Sequence, residues 1–299
     1  MSPSAPTPCS GPLHLARIRQ ALRGCPVGHT VRYHGQVTST MSVAHALAAS
    51  AAEPGTRAGW AVVAEEQTAG RGRLGRGWEA PRERAILFSV IVAGSLLPPL
   101  PEQLPLIGGL AVVRTLRGAY PELAPALGLK WPNDVVGRGP DRPWRKLAGV
   151  LVESAGDGER IRHAVLGIGL NVHQEPHELP PPRPGGLSPT SLALMLGDAG
   201  PGDRTDLFIR LCRELGRLLA PATRPDPQAL HREWHAALIH LGRPVQVEWS
   251  EGSPGPPLRG RAVDTTLSGG LVVLAPDGER WVVHAGEVRV DWEVPEHLV

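Results

Sequence analysis

Lys146-Leu-Ala-Gly-Val-Leu-Val-Glu153 and Gly167-Ile-Gly-Leu-Asn-Val172, linked through Ala155-Gly-Asp-Gly-Glu159, decide the fold class of this chain. Residues 147–153 and 162–172 are its longest β-like runs, and the Gly-Asp-Gly between them has the turn chemistry of a β-hairpin. Upstream, residues 30–37, 60–64 and 85–92 read as strands, and 127–131 and 135–136 as short extended pieces. Residues 13–22 read as a short helix, and 42–51 as an Ala-rich helix capped by Thr40 or Ser42. Residues 105–119 have helical period and length, with Pro105 tolerable in the first turn. Downstream, residues 175–189 are a proline-rich loop, read as a plain connector, and 206–219 and 228–239 are helical. Beyond Gly242, five short β-like runs separated by Ser268-Gly-Gly270 and Pro276-Asp-Gly278 predict a small barrel, with a boundary near Leu241. A β-rich centre flanked by helices makes the fold α/β to α+β.

The 299 residues allow one large domain and a small one, and 41% hydrophobic content suffices for a core that must be mostly Ala, Val and Leu, since aromatics are 4%. A net charge of +2 argues against a dedicated nucleic-acid binder. No apolar run reaches the roughly 20 residues of a membrane span. The first thirteen or so residues read as a disordered leader without signal-peptide pattern. Cys9, Cys25 and Cys212 are too few and too far apart for a disulfide framework or metal clip, which predicts a reduced cytoplasm.

Three further features carry chemistry. In Gln67-Thr-Ala-Gly-Arg-Gly-Arg-Leu-Gly-Arg-Gly-Trp78, Arg71, Arg73 and Arg76 supply planar cationic forks, and the glycines let the backbone approach a ligand. Such a loop at a strand end suits a nucleotide; a solvated basic loop or a nonspecific RNA contact are the other readings. Trp78 reads as loop packing. In Lys130-Trp-Pro-Asn-Asp134, Pro132 stiffens a segment that bears an ammonium, an amide and a carboxylate, and Asp134 suits Mg2+, which takes one or two carboxylates and several waters. An ordinary surface turn is the other reading. Lys146 stands at the mouth of a buried-looking strand, where it reaches an anion or snorkels. Gly167 and Gly169 inside a β-run signal close approach of a backbone or ligand, or a bulge. Asn171 both donates and accepts, as base recognition needs. His231 and His235 lack the HExxH arrangement and read as solvated helix residues.

In this order and spacing the stretches resemble the bacterial biotin–protein ligases (biotin–[acetyl-CoA-carboxylase] ligases). That family's pattern is a Gly/Arg loop closing on Trp, then KWPND, K-x-x-G-[IV]-L-V-E and G-x-G-x-N. Its Ser-Thr-Asn signature stands here as Ser39-Thr40-Met41, with Met41 in place of Asn. The resemblance spans residues 30–290. It implies a mixed, largely antiparallel sheet packed by helices, a class II synthetase-like ligase core, with a small C-terminal SH3-like β-barrel. The domains would be a leader with one short helix (1–29), a biotin- and ATP-binding catalytic domain (30–241) and the barrel (242–299).

The implied activity has two steps: biotin reacts with ATP to give biotinoyl-5′-AMP and pyrophosphate, and a carrier-domain lysine then takes the biotin. Catalysis falls to Arg71, Arg73 and Lys146. Ser39, Thr40, Gln67, Gly70, Gly167 and Gly169 join these three around biotin. ATP falls to Arg73, Arg76, Lys130, Asn133, Asn171 and Trp234, with Trp234 stacking on adenine (a core tryptophan anchoring its helix is the other reading), and Mg2+ to Asp134. The implied partner is the biotin carboxyl carrier domain of a carboxylase; a homodimer is left open. Only about thirty residues precede the catalytic region, room for one helix, so a three-helix DNA-reading module and DNA binding are not expected. A lipoate or octanoyl ligase of the same fold and a nonenzymatic nucleic-acid binder using the Arg/Gly loop are the alternatives.

Overall fold

A long antiparallel hairpin, β6 (Arg145–Asp157) against β7 (Arg160–Asn171), forms the middle of the protein. The structure is a computed structural model describing residues 11–51, 53, 55–139, 143–157, 160–182, 185–249 and 256–292. The expected hairpin turn falls partly on Gly158 and Glu159, outside the described residues, as does most of the leader. β7 pairs on its other side with β3 (Ala85–Ala93), which pairs with β2 (Ala61–Ala64), and that with β1 (Val31–His34) in the one parallel pairing of the sheet. On the β6 side follow β5 (Asp134–Gly137) and β4 (Leu127–Lys130). The result is a seven-stranded, mixed and largely antiparallel sheet in the order β1-β2-β3-β7-β6-β5-β4.

Period-two alternation sorts the sheet's side chains onto two faces. Ile86, Phe88, Val90 and Val92 of β3, with Leu166, Ile168 and Leu170 of β7, face the main core. There they meet α3 (Leu104–Ala119) and α5 (Arg204–Leu219). Gly108 brings α3 within touch of the sheet: a Cβ there would lie 2.6 Å from Val150. The opposite face carries α2 (Thr40–Ala49), whose Met41 and Ala44 pack on Val62, Ile91, Ala93 and Val165. α1 (Leu15–Ala21) lies against α5. α4 (Leu192–Leu196), α5 and α6 (Pro227–Ala236) start at Ser191, Asp203 and Asp226, whose side chains accept from the N–H groups of Leu194, Thr205 and Ala229.

The helix expected over 228–239 ends at Ala236 for a tertiary reason. The backbone beyond it leaves the helix to bridge β4: Leu129 N–H donates to Ala237 O at 2.8 Å, and Ile239 N–H to Leu129 O at 3.0 Å. After it come β8 (Pro244–Glu248), β9 (Leu258–Thr265), β10 (Leu271–Leu274), β11 (Arg280–Val283) and β12 (Glu287–Val290). They form a separate sheet in the order β11-β10-β9-β8-β12, and no β11–β12 pairing closes it into a barrel among the described residues. His231 Nε2 meets Thr265 Oγ1 at 2.9 Å, and His235 lies 3.8 Å from Asp264. These histidines, expected in solvent, face the tail sheet instead. No helix among the described residues is long and apolar enough to cross a membrane.

His240, between α6 and β8, is fully buried, and neither ring nitrogen has a hydrogen-bond partner among the described residues. Burial, reinforced by Lys130, pushes its pKa down to about 3 from 6.5. The unfolded chain takes up this proton below 6.5, whereas the folded one refuses it until about 3. The unfolded state therefore binds more protons in that window, and stability falls as pH drops through it. In urea unfolding at about pH 7 and about pH 4.5, His240→Leu should remove about 2–3 kcal/mol of the wild-type loss.

Candidate active site

The α2-side face of the sheet contains a floor of glycines in register. Leu87, Gly169 and Gly149 lie across β3, β7 and β6 in one row, and Ser89, Gly167 and Leu151 in the next. An added Cβ would lie 2.4 Å from the Trp78 ring at Gly169, 2.8 Å from it at Gly149, and 2.5 Å from Met41 Sδ at Gly167. The close approach legible in the sequence is therefore made by Trp78 and Met41. Trp78 packs the loop onto the glycine floor, as expected, and also lines the cavity, and its Nε1 is buried without a partner among the described residues. Met41, with its side chain in the α2–sheet core, takes a packing position.

At one end of the floor Thr40, Gln67 and Ser89 form a polar cluster. Gln67 Oε1 accepts from Thr40 N–H at 2.8 Å and from Thr40 Oγ1 at 3.0 Å, and Thr40 Oγ1 lies 2.8 Å from Ser89 Oγ. Gln67 thus keeps its amide N–H groups to donate. Ser89 was missed in the sequence; a lone hydroxyl in the apolar run 85–93 was its signal. Ser39, at the α2 N-terminus, is buried with Oγ unpartnered and lies outside the cavity lining. Gly70 is also outside the lining: its O accepts from Trp78 N–H at 2.9 Å, and a Cβ there would collide with Trp78 O at 2.2 Å.

The other end is cationic. Arg73, Arg76, Lys130 and Lys146 line it with three carboxylates, Glu79, Asp134 and Glu287, while Arg71 lines the cavity with its side chain on Glu153. Lys146 Nζ lies 2.6 Å from Asp134 Oδ1 and 5.6 Å from the Trp78 ring centroid. The Asn133 Nδ2–H group donates to Val150 O at 2.7 Å, holding the KWPND turn on β6; the Trp131–Pro132 bond in that turn is cis. Lys130 is buried, and desolvation pulls its pKa below the ordinary ammonium range. Burial also lowers that of Arg73, whose Nη1 reaches Gly286 O at 3.4 Å. Arg76 pairs with Glu287, which raises the guanidinium's pKa and holds the Glu287 carboxyl below its ordinary value. Two loop arginines are thus anchored on the start of β12, contacts that sequence separation hid. Arg71 is held by Glu153, at 3.0 Å.

Asn171 lines the cavity, but its amide is engaged on both sides: Nδ2–H donates to Thr190 O at 2.9 Å, and Oδ1 accepts from Gln174 at 2.8 Å. Trp234 requires correction. It is 2% exposed, inside the main core and outside the cavity lining, because the apolar stripe of α6 turns inward. It anchors a helix and does not face the cavity as an adenine platform would. The proline-rich loop is likewise more than a connector: Lys146 N–H donates to Ser188 O, Thr190 N–H donates to Lys146 O, and Pro180, Pro181 and Pro189 line the cavity. No cluster of three or more metal-capable side chains exists among the described residues. A lone Asp134 fits an ion such as Mg2+ that keeps its waters and is held mainly by phosphates.

A slot of this kind takes a flat, apolar-bodied molecule with hydrogen-bonding groups at one end and an anion at the other. A family model described as the biotin/lipoate A/B protein ligase family matches residues 35–171. The biotin–[acetyl-CoA-carboxylase] ligase of Mycobacterium tuberculosis is 37% identical over 281 residues, covering 93% of this chain and 95% of that protein. The structure of biotin protein ligase from Aquifex aeolicus in complex with biotin and ATP matches with a TM-score of 0.66 at 24% identity, covering 88% of this chain and 99% of that one. That of the Leishmania major ligase in complex with biotinyl-5-AMP matches at 0.57 and 25% identity, covering 86% and 99%.

Proposed function

The chain belongs to the biotin–[acetyl-CoA-carboxylase] ligase family, and from that membership we propose how its own side chains divide the reaction. The enzyme activates biotin with ATP and transfers it to a carboxylase carrier. A carboxylate oxygen of biotin attacks the α-phosphorus of ATP; the bond to the β-phosphate oxygen breaks, and pyrophosphate leaves. The neutral amine of a carrier lysine then attacks the acyl carbon, AMP leaves, and the nitrogen loses a proton.

Both reactants of the first step are anions, so the barrier is largely electrostatic. Lys146, Arg73 and Arg71 neutralise the meeting carboxylate and α-phosphate, and Arg76 and Lys130 the remaining phosphates. Asp134 would hold Mg2+, which would supply further neutralisation of the phosphates. Thr40, Gln67 and Ser89 match the donor-and-acceptor pattern of the ureido ring, and the glycine floor with Trp78 encloses the bicyclic body. Residues 242–299, to which the tail sheet belongs, are read as the family's small SH3-like barrel domain, and 30–241 as the catalytic domain.

The observation that carries this reading is the register of Gly149, Gly167 and Gly169 between a neutral polar end and a cationic end. Gly169→Val should displace Trp78 from the floor and weaken biotin binding about 5- to 150-fold, the roughly 1–3 kcal/mol of an overpacked site, read by calorimetric titration. The reading itself is tested by intact mass of a biotin carboxyl carrier domain after incubation with enzyme, MgATP and either biotin or lipoate. A biotinyl adduct in the biotin arm alone is expected; an adduct from lipoate alone, or none, overturns it.

A further inference from the structure

Arg71 is not where its proposed role needs it. Glu153 lies on β6 seven residues beyond Lys146, about 23 Å of extended strand. Glu153 faces the α2 side of the sheet, in the row where it opposes Val165. Its Oε2 receives Arg71 Nη2 at 3.0 Å and lies 3.1 Å from His45 Nε2. His45 Nδ1 in turn meets His163 Nε2 at 3.3 Å. The carboxylate thus lies beside the His45 ring of α2, with His163 of β7 behind that ring, and its hydrogen bond goes to the loop. Arg73 and Arg76 are held by β12, so the three loop arginines are drawn toward two different walls.

We propose that Glu153, which lies beside His45, is a positioning residue that parks Arg71 away from Lys146 until the substrate anion draws it off. The proposal rests on the reading of Arg71 as a group that binds the reacting anions. The pair is half-exposed, with side-chain exposures of 41% and 34%, so its strength is that of an ordinary surface ion pair. An arriving carboxylate or phosphate, backed by Lys146 and Arg73, outcompetes it. Parking nevertheless costs affinity, because the Arg71–Glu153 contact must break before Arg71 can bind.

The test is steady-state pyrophosphate release by the whole enzyme at saturating MgATP and biotin carboxyl carrier domain, with biotin varied, for wild type, E153Q, R71A and the double variant. Gln keeps the shape and an acceptor oxygen but removes the charge. E153Q should lower KM for biotin about 2- to 5-fold and leave kcat within about twofold, an effect that shrinks in high salt. In the R71A background the same substitution should change nothing. As a second readout, trypsin should cut after Arg71 faster in ligand-free E153Q than in wild type. A KM that is unchanged or raised in E153Q, or a fall that persists without Arg71, overturns the proposal. If R71A alone leaves KM and kcat intact, the proposal also falls, and the fault lies in the role given to Arg71.

Discussion

Lys146→Ala should cut the rate of biotinoyl-adenylate formation by about 10²–10³, the usual cost of removing one preorganised group from a charge-stabilising site. Lys146 Nζ sits on Asp134 at 2.6 Å, over the Trp78 ring and among the loop arginines. Its backbone, not its side chain, makes the bonds to Ser188 and Thr190, so truncation leaves the proline-rich loop in place. The loss should therefore appear in kcat and kcat/KM with the thermal midpoint little changed. Removal also strands the Asp134 carboxylate at the point where two anions must meet, which adds to the barrier. Biotin-dependent ATP–pyrophosphate exchange measures the first step by itself; an undiminished rate would refute the electrostatic account. Lys146→Arg should restore only part of the activity, because a planar fork cannot occupy the place of a compact ammonium.

The second large effect concerns stability. Arg204 and Glu65 form an ion pair at 2.7 Å with side chains 2% and 0% exposed. The Arg204 guanidinium also donates to Ala85 O at 2.7 Å and Gly11 O at 2.6 Å, and Glu65 Oε1 accepts from Leu13 N–H at 2.7 Å. One pair thus ties the start of the described chain, the end of β2, the start of β3 and α5 together. Arg204→Met leaves the Glu65 charge buried without its partner and should cost about 3–5 kcal/mol, read as a lowered urea midpoint. The double replacement Glu65→Gln with Arg204→Met should be milder than the single one, since no uncompensated charge then remains. A single variant as stable as wild type would show that the pair carries no such burden. Both substitutions lie outside the cavity lining, so activity of the surviving folded fraction should hold.

Local chemistry was readable in the chain where neighbours in sequence decide it. Residues 271–274 form the expected strand because turn residues punctuate both sides of an apolar run. Asp157 and Arg160 flank the hairpin turn where Gly-Asp-Gly announced it. Most cavity residues sat in motifs whose spacing reflects one sheet face, which is why Gly167 and Gly169 could be read as a place of close approach. What failed was long-range. Which neighbour the apolar stripe of α6 would meet cannot be read from its period, and so the sequence left Trp234 between the adenine and the core. Glu153 lies 82 residues from Arg71, and Glu287 lies 211 from Arg76, separations at which no pattern links the partners. Ser89 sits between these cases: its polarity was visible, but its meaning required Thr40 on the helix above.

The anchoring of Arg73 and Arg76 on Gly286 and Glu287 bears on biosynthesis. A chain emerging from the ribosome exposes its nucleotide-gripping loop first, yet the backbone oxygen and carboxylate that hold two of its guanidinium groups are translated 213 and 211 residues later. Until the tail sheet has formed, those cations are untethered, so a nascent or truncated polypeptide has the motif without the finished grip.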